Sequence, residues 1–346
     1  MAMNVCAYCE APIAAQRSVG ANSNIYLYAC AKCLNISLLR NRSNDLWADQ
    51  LETVPDVRET LPPGSVPAEI LGSLRKAADA LPMLPEACQR VVMLAHDPLS
   101  TMTDIAVAIN QDPIIATKLL RLANSVAFGG NREITNLDQA CARLGIKEIV
   151  RTVQSIAYSG LYRAAKPSQR KAMQELWRHT IATSQAAFEL ARMKCPTQAD
   201  DMFVAGLVHD LGAVVLSNII GSSPVTSTSR LRSEPELAHD FAVRHHAMAG
   251  IHVIAERGLP NAFAFTTYFH PNPQELPISE PRISVLIVHV AERVAQACGY
   301  GFDGGDEVLS VDDPEVAELG LAADDLEAVQ AKVTTTVEAL LDVMVS

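Results

Sequence analysis

From Ala68 to the C-terminus the apolar residues of this chain recur at helical spacing, and no stretch there alternates apolar with polar residues between hairpin turns. That pattern commits the larger part of the chain to helices packed on helices. Several helix ends can be read directly. Asp112-Pro113 opens one helix: proline needs no amide partner in a first turn, and the aspartate can accept from orphan N–H groups. Asn124-Ser125 closes it, with side chains suited to terminal carbonyls or to the next loop. Asn136 stands before another helix, with Gln139 at its third position and Gly145 just past its end. Ser168 begins a further one, whose Met173, Leu176, Trp177 and Ile181 recur at helical spacing. With 346 residues, 49% hydrophobic and only 19% charged, the apolar surface suffices for a sizeable core.

The front of the chain is different. Cys6-x-x-Cys9 and Cys30-x-x-Cys33 can each sit on a tight turn that aims two thiolates at one point, and the alternating stretch SNIYLYACAKC leads into the second pair. Together the pairs complete a tetrahedral, structural zinc site, which a segment this short needs because it cannot build much of a core. Residues 1–43 thus read as a zinc-ribbon-like module and residues 44–67, polar and proline-bearing (VPDVRETLPPGSVP), as a linker. Residues 68–346 form the helical domain, so the expected fold is mainly α. Cys88, Cys141, Cys195 and Cys298 lie singly among helical patterns and read as inert thiols of a reducing compartment.

No apolar run reads as long enough to cross a bilayer, and the start MAMNVCAYCE has neither the basic flank nor the apolar stretch of a signal peptide. A cytoplasmic protein without a membrane partner is expected. The net charge of -11 argues against the whole chain tracking a nucleic-acid backbone. Arg17, Lys32, Arg40 and Arg42 leave the front module mildly basic, either as a solvated surface or as a contact with nucleic acid or a partner. Residues 302–327 carry acidic groups without one Lys or Arg; they read as a solvated face, since their spacing does not suit a calcium loop. The SSPVTSTS stretch at 222–229 reads as a mobile loop.

Chemistry concentrates at His209-Asp210, set in the apolar segment AGLVHDLG. Burying such a pair costs desolvation energy unless hydrogen bonds or a divalent metal compensate. No G-x-S-x-G elbow, phosphate loop of the G-x-x-x-x-G-K kind or dinucleotide fingerprint occurs, so nucleophilic and cofactor chemistry lack support.

LPMLP at 81–85, QDPIIATKLLRLANSVAFG at 111–129, DQACARLG at 138–145 and GLVHDLG at 206–212 resemble, in order and spacing, the HDOD family, the HD-related output domains of bacterial signalling proteins. The resemblance covers roughly residues 68–330. It implies an all-helical fold related to the HD metal-dependent phosphohydrolases and, for most members, a non-enzymatic role in passing a signal to a partner. By order along the chain it assigns His179 as the first metal ligand, His209 and Asp210 as the doublet, and Glu292 where the HD enzymes place an aspartate. His246, followed by Gly250, and His270 resemble second-metal ligands of the related HD-GYP phosphodiesterases. Three positions depart from those patterns: Glu292 is one methylene longer than aspartate, Pro271 replaces the second of paired histidines, and Ala213 stands near where a lysine belongs.

The reading is therefore a non-catalytic regulatory protein, with a structural zinc module and a degenerate HD-type domain that engages protein partners. The alternative is a metal-dependent phosphohydrolase acting on a nucleotide or cyclic dinucleotide, with Fe, Mn or Mg at His179, His209, Asp210 and Glu292. A DNA-binding regulator acting through the zinc module comes third. His245 and His252 read as surface or packing residues, and His96, His239 and His289 carry no role.

Overall fold

The computed structural model describes four strands between Ala15 and Thr53 and most of residues 73–345. Residues 1–14, 19–24, 30–35, 42–50, 54–72, 223–228, 276–281 and 303–308, with isolated positions elsewhere, lie outside the described residues. Cys6, Cys9, Cys30 and Cys33 are among these, as is most of the SSPVTSTS stretch. The strands β1 (Ala15–Ser18), β2 (Ile25–Ala29), β3 (Ile36–Asn41) and β4 (Leu51–Thr53) form an antiparallel meander in sequence order. Tyr26 pairs with Leu39 and Leu27 with Leu38 in the middle of the sheet. Strand β4 falls within the stretch read as linker.

Everything described after β4 is helical or irregular. In chain order the helices are α1 (Glu86–His96), α2 (Met102–Asn110), α3 (Pro113–Ala123), α4 (Leu137–Ser159), α5 (Arg170–Lys194), α6 (Ala199–Val208), α7 (Leu211–Ser222), α8 (Ser229–Ser233), α9 (Pro235–Glu256), α10 (Asn261–Phe269), α11 (Arg282–Ala295), α12 (Pro314–Glu318) and α13 (Ala323–Val345). Their ends follow the capping residues. Asp112 accepts from the Ile114 and Ile115 amides at the head of α3. At its tail Asn124 donates to the Ile134 carbonyl and accepts from the Ile134 amide, and Ser125 donates to the Leu122 carbonyl. Asn136 accepts from the Gln139 amide and starts α4. Ser168 lies one turn early, in a 3-10 turn at Pro167–Gln169 that leads into α5.

The chain divides into two compact units, one of residues 81–208 and 286–346, the other of residues 1–80 and 209–285. In the first, Val91, Ile105, Ile109, Ile115, Leu119, Ile149 and Val153 pack α1 to α4 around one apolar core. Cys88 and Cys141 lie inside it; burial pushes their thiols up to about 12 and about 11, which makes them inert packing groups. Helix α5 is buried on every face from His179 to Ala191 and packs against α6 and α13. Arg151 ties α4 to this centre: its guanidinium lies 3.8 Å over the Phe188 ring and donates to Glu148 and Asp200. In the second unit α9 packs on α7 and α10.

One expectation is corrected. Pro196–Ser222 is long and apolar enough, by length and composition, to cross a membrane, with a mean hydropathy of 1.8. In the fold 83% of that window is buried, as befits core helices.

Gly145 interrupts α4 with φ 76° and ψ 160°, and the helix resumes at once. Only glycine occupies that region without strain. A Cβ there would meet nothing within 4 Å, so the cost of Gly145→Ala is conformational, not steric. A loss of about 1–3 kcal/mol is expected, read from urea unfolding; an unchanged midpoint and slope would contradict it.

Candidate metal centre

The second unit brings three helices to near backbone contact. A Cβ on Gly212, in the first turn of α7, would lie 1.9 Å from the His246 carbonyl oxygen and 2.4 Å from the Gly250 nitrogen. One on Gly250 would lie 2.5 Å from Cγ2 of Thr267. Two glycines thus let α7, α9 and α10 approach where each carries a polar residue. Asp210 stands just before α7, His246 within α9 and His270 just after α10.

These residues and His209 form one cluster. Asp210 Oδ2 is 3.4 Å from His209 Nε2, while Asp210 Oδ1 is 3.5 Å from His246 Nε2 and 3.9 Å from His270 Nε2. The carboxylate therefore spreads its two oxygens between His209 and the other two histidines. The His246 and His270 Nε2 atoms are 3.2 Å apart, and the His209 and His270 rings meet edge to face at 4.9 Å. His209 and His270 are fully buried and Asp210 is 4% exposed.

Backbone carbonyls settle the tautomers. His246 Nδ1 faces the Val243 carbonyl, and His270 Nδ1 faces the Thr267 carbonyl at 2.9 Å. A carbonyl only accepts, so each Nδ1 carries the hydrogen and donates, and each neutral ring holds its lone pair on Nε2. Burial, reinforced by His209 and His246, pushes the His270 pKa well below the usual histidine value, against the pull of Asp210 and the Thr267 carbonyl. Two lone pairs and a carboxylate oxygen accordingly converge on one small volume. Metal-binding histidines are typically oriented in this way, with the distal nitrogen donating to a carbonyl. The ligand atoms of His209, Asp210 and His270 lie within 4.8 Å of one another. They can hold a divalent cation.

His179 and Glu292 lie in the first unit. His179 is buried on α5, and its Nδ1 donates to the Tyr300 carbonyl at 2.9 Å, leaving Nε2 with the lone pair. Tyr300 ends a π-helical turn, Gln296–Tyr300, in which Gly299 takes φ 82°. That turn follows α11, on which Glu292 lies half-buried. His245 packs against the Phe241 ring at 4.5 Å, and burial lowers its pKa to about 4.

The HDOD domain model matches residues 81–273, more than half of the chain. The chain belongs to the HDOD family. An uncharacterized protein of Treponema pallidum (strain Nichols) is 26% identical over 224 residues, which cover 63% of this chain and 43% of that protein. The chain thus spans less than half the length of this curated relative. Among solved structures, one from Shewanella amazonensis SB2B, provisionally described as a metal-dependent phosphohydrolase, aligns with a TM-score of 0.59 at 19% identity, covering 79% of this chain and 98% of that one. An HDOD domain protein of unknown function from Geobacter sulfurreducens gives 0.55 at 19%, with 79% and 98% covered. A provisionally described signal transduction protein from Marinobacter aquaeolei VT8 gives 0.57 at 18%, with 81% and 66% covered. At these identities the likeness is one of fold. It bears out a mainly helical, HD-like architecture for the HDOD chain.

Sequence reasoning named the side chains of the cluster and missed its supports. The Val243, Thr267 and Tyr300 carbonyls leave no mark in a sequence, because every residue offers the same group. Gly212 and Gly250 were visible as letters of HDLG and H-x-x-x-G; their steric purpose was not. Gly212→Ala should cost about 3 kcal/mol or more, since a backbone carbonyl cannot step aside as a flexible side chain can. Thermal unfolding beside Gly145→Ala checks this, and an equal or smaller loss for Gly212→Ala would refute the crossing.

Proposed function

We propose that this HDOD chain is a cytoplasmic regulatory protein acting through protein partners, and that His209, Asp210, His246 and His270 hold a divalent cation as part of its scaffold. The convergence of the His246 and His270 lone pairs with the Asp210 carboxylate carries the metal assignment, because a cation placed among them turns repulsion into coordination. Burial favours a brace over a reaction centre. A catalytic metal keeps a coordination position open to substrate, whereas His209, Asp210 and His270 lie almost entirely out of reach of solvent.

A second reading rests on the donor set itself. Three imidazoles and a carboxylate suit a metal-dependent phosphohydrolase acting on a nucleotide or cyclic dinucleotide, and a bound ion would supply water of lowered pKa and a clamp for phosphate. In that case Asp210, with an oxygen toward each side of the cluster, would be the residue that positions the metal.

The front of the chain extends the proposal. Cys6, Cys9, Cys30 and Cys33 would hold one zinc, and the module would serve as a sensor or docking element, with nucleic-acid contact through its basic residues ranked behind.

Metal analysis of protein purified without chelator tests both sites. Zinc lost in Cys30→Ser belongs to the module; a further ion, lost in His270→Ala and Asp210→Asn but retained in Cys30→Ser, belongs to the cluster. Absence of that further ion would refute the brace. The metal-loaded protein should leave cyclic dinucleotides and bis(p-nitrophenyl) phosphate intact. Turnover that disappears in Asp210→Asn would establish the hydrolase instead.

A further inference from the structure

Two of the sequence motifs that take no part in the histidine cluster line one cleft of about 550 Å³ in the first unit. LPMLP contributes Pro82 and Pro85, and QDPIIATKLL contributes Asp112, Ile114, Ile115 and Lys118. Helices α4 and α5 supply the opposite wall, with Ile156, Met173 and Trp177. The size falls in the range of roughly 300–1,000 Å³ typical of small-molecule sites, which are mainly apolar with a few placed polar groups.

The polar groups are unbalanced. The half-buried Lys118 ammonium donates to the Met344 carbonyl at 3.2 Å and lies 3.8 Å from the Met344 sulfur, and among the described residues no carboxylate pairs with it. Burial and nearby Arg121 lower its pKa. Arg163 lines the cleft as well, exposed and likewise without a described carboxylate partner. Asp112, the one acid in the lining, is committed to the amides of Ile114 and Ile115. Ile114 is 66% exposed, an apolar side chain left in water at the edge of the site. A cleft with apolar walls and two unmatched cations complements an anion with an apolar body, in a chain that is itself strongly acidic.

We propose that this cleft binds a small organic acid with an apolar body, its carboxylate on Lys118 and Arg163 and its apolar part against Ile114, Ile156, Met173 and Trp177. The site is independent of the metal cluster, since none of its residues belongs to it.

Trp177 provides the readout. The chain has two tryptophans, so Trp47→Phe leaves Trp177 as the sole emitter in the full-length protein. Titration with sodium decanoate below its micelle concentration should give a saturable change in that emission. Loss of one charge-assisted hydrogen bond in Lys118→Gln should weaken binding about tenfold or more, Arg163→Gln should weaken it less, and decanol, with the same body and no charge, should bind more weakly than the acid. Ile114→Asp, at an exposed position, should abolish binding while leaving the melting temperature unchanged; it keeps the test decisive even if Lys118→Gln disturbs the contact with Met344. An unsaturable response, equal binding of decanol, or undiminished binding by folded Ile114→Asp would overturn the proposal.

Discussion

The close crossing of α7 with α9 governs what the centre of this protein can be. Two helices meet there at a distance only glycine permits, and the contact is backbone on backbone. Because the crossing falls within two residues of Asp210, it holds that carboxylate beside an imidazole from the next helix. A larger residue at Gly212 would force the helices apart, and the donors with them. Polar side chains that would each be costly to bury alone are thereby held close enough to share one charge.

Orientation is the second layer. Each of three histidines spends its Nδ1 hydrogen on a backbone carbonyl: the partly buried His246 on Val243, and the buried His270 and His179 on Thr267 and Tyr300. The rings cannot flip without leaving that donor unsatisfied in a dry interior, at about 1–3 kcal/mol. Within the first unit the π-helical turn after α11 does this for His179, since it delivers the Tyr300 carbonyl to α5. Long, deformed turns of this kind commonly accompany functional sites. The cluster is thus oriented to receive a cation.

The two sites proposed for this chain divide the labour that its motifs suggest. The doublet and its histidines form a buried polar knot, suited to bracing the fold. The proline and aspartate motifs frame an open cleft whose walls are apolar and whose cations have no carboxylate partner among the described residues. The regulatory role proposed for the chain would need some surface that responds to its surroundings, and the cleft has the chemistry for it.

Much of this architecture was legible in one dimension. Helix periodicity, the Asp112 and Asn136 caps, the break at Gly145 and the family motifs are local properties, set by residues within a turn or two of one another, and they appear in the structure where the sequence places them. The identities of His209, Asp210, His246 and His270 as candidate ligand positions were also readable, through spacing and resemblance. What tertiary structure alone decided is their relation: which imidazole nitrogen carries hydrogen, which carboxylate oxygen faces which ring, and how fully water is excluded. Those depend on carbonyls common to all residues and on helix crossings between segments tens of residues apart, and neither is encoded in any local pattern. The lack of a carboxylate beside Lys118 among the described residues belongs to the same class, because a counter-charge can come from any segment that the fold brings near.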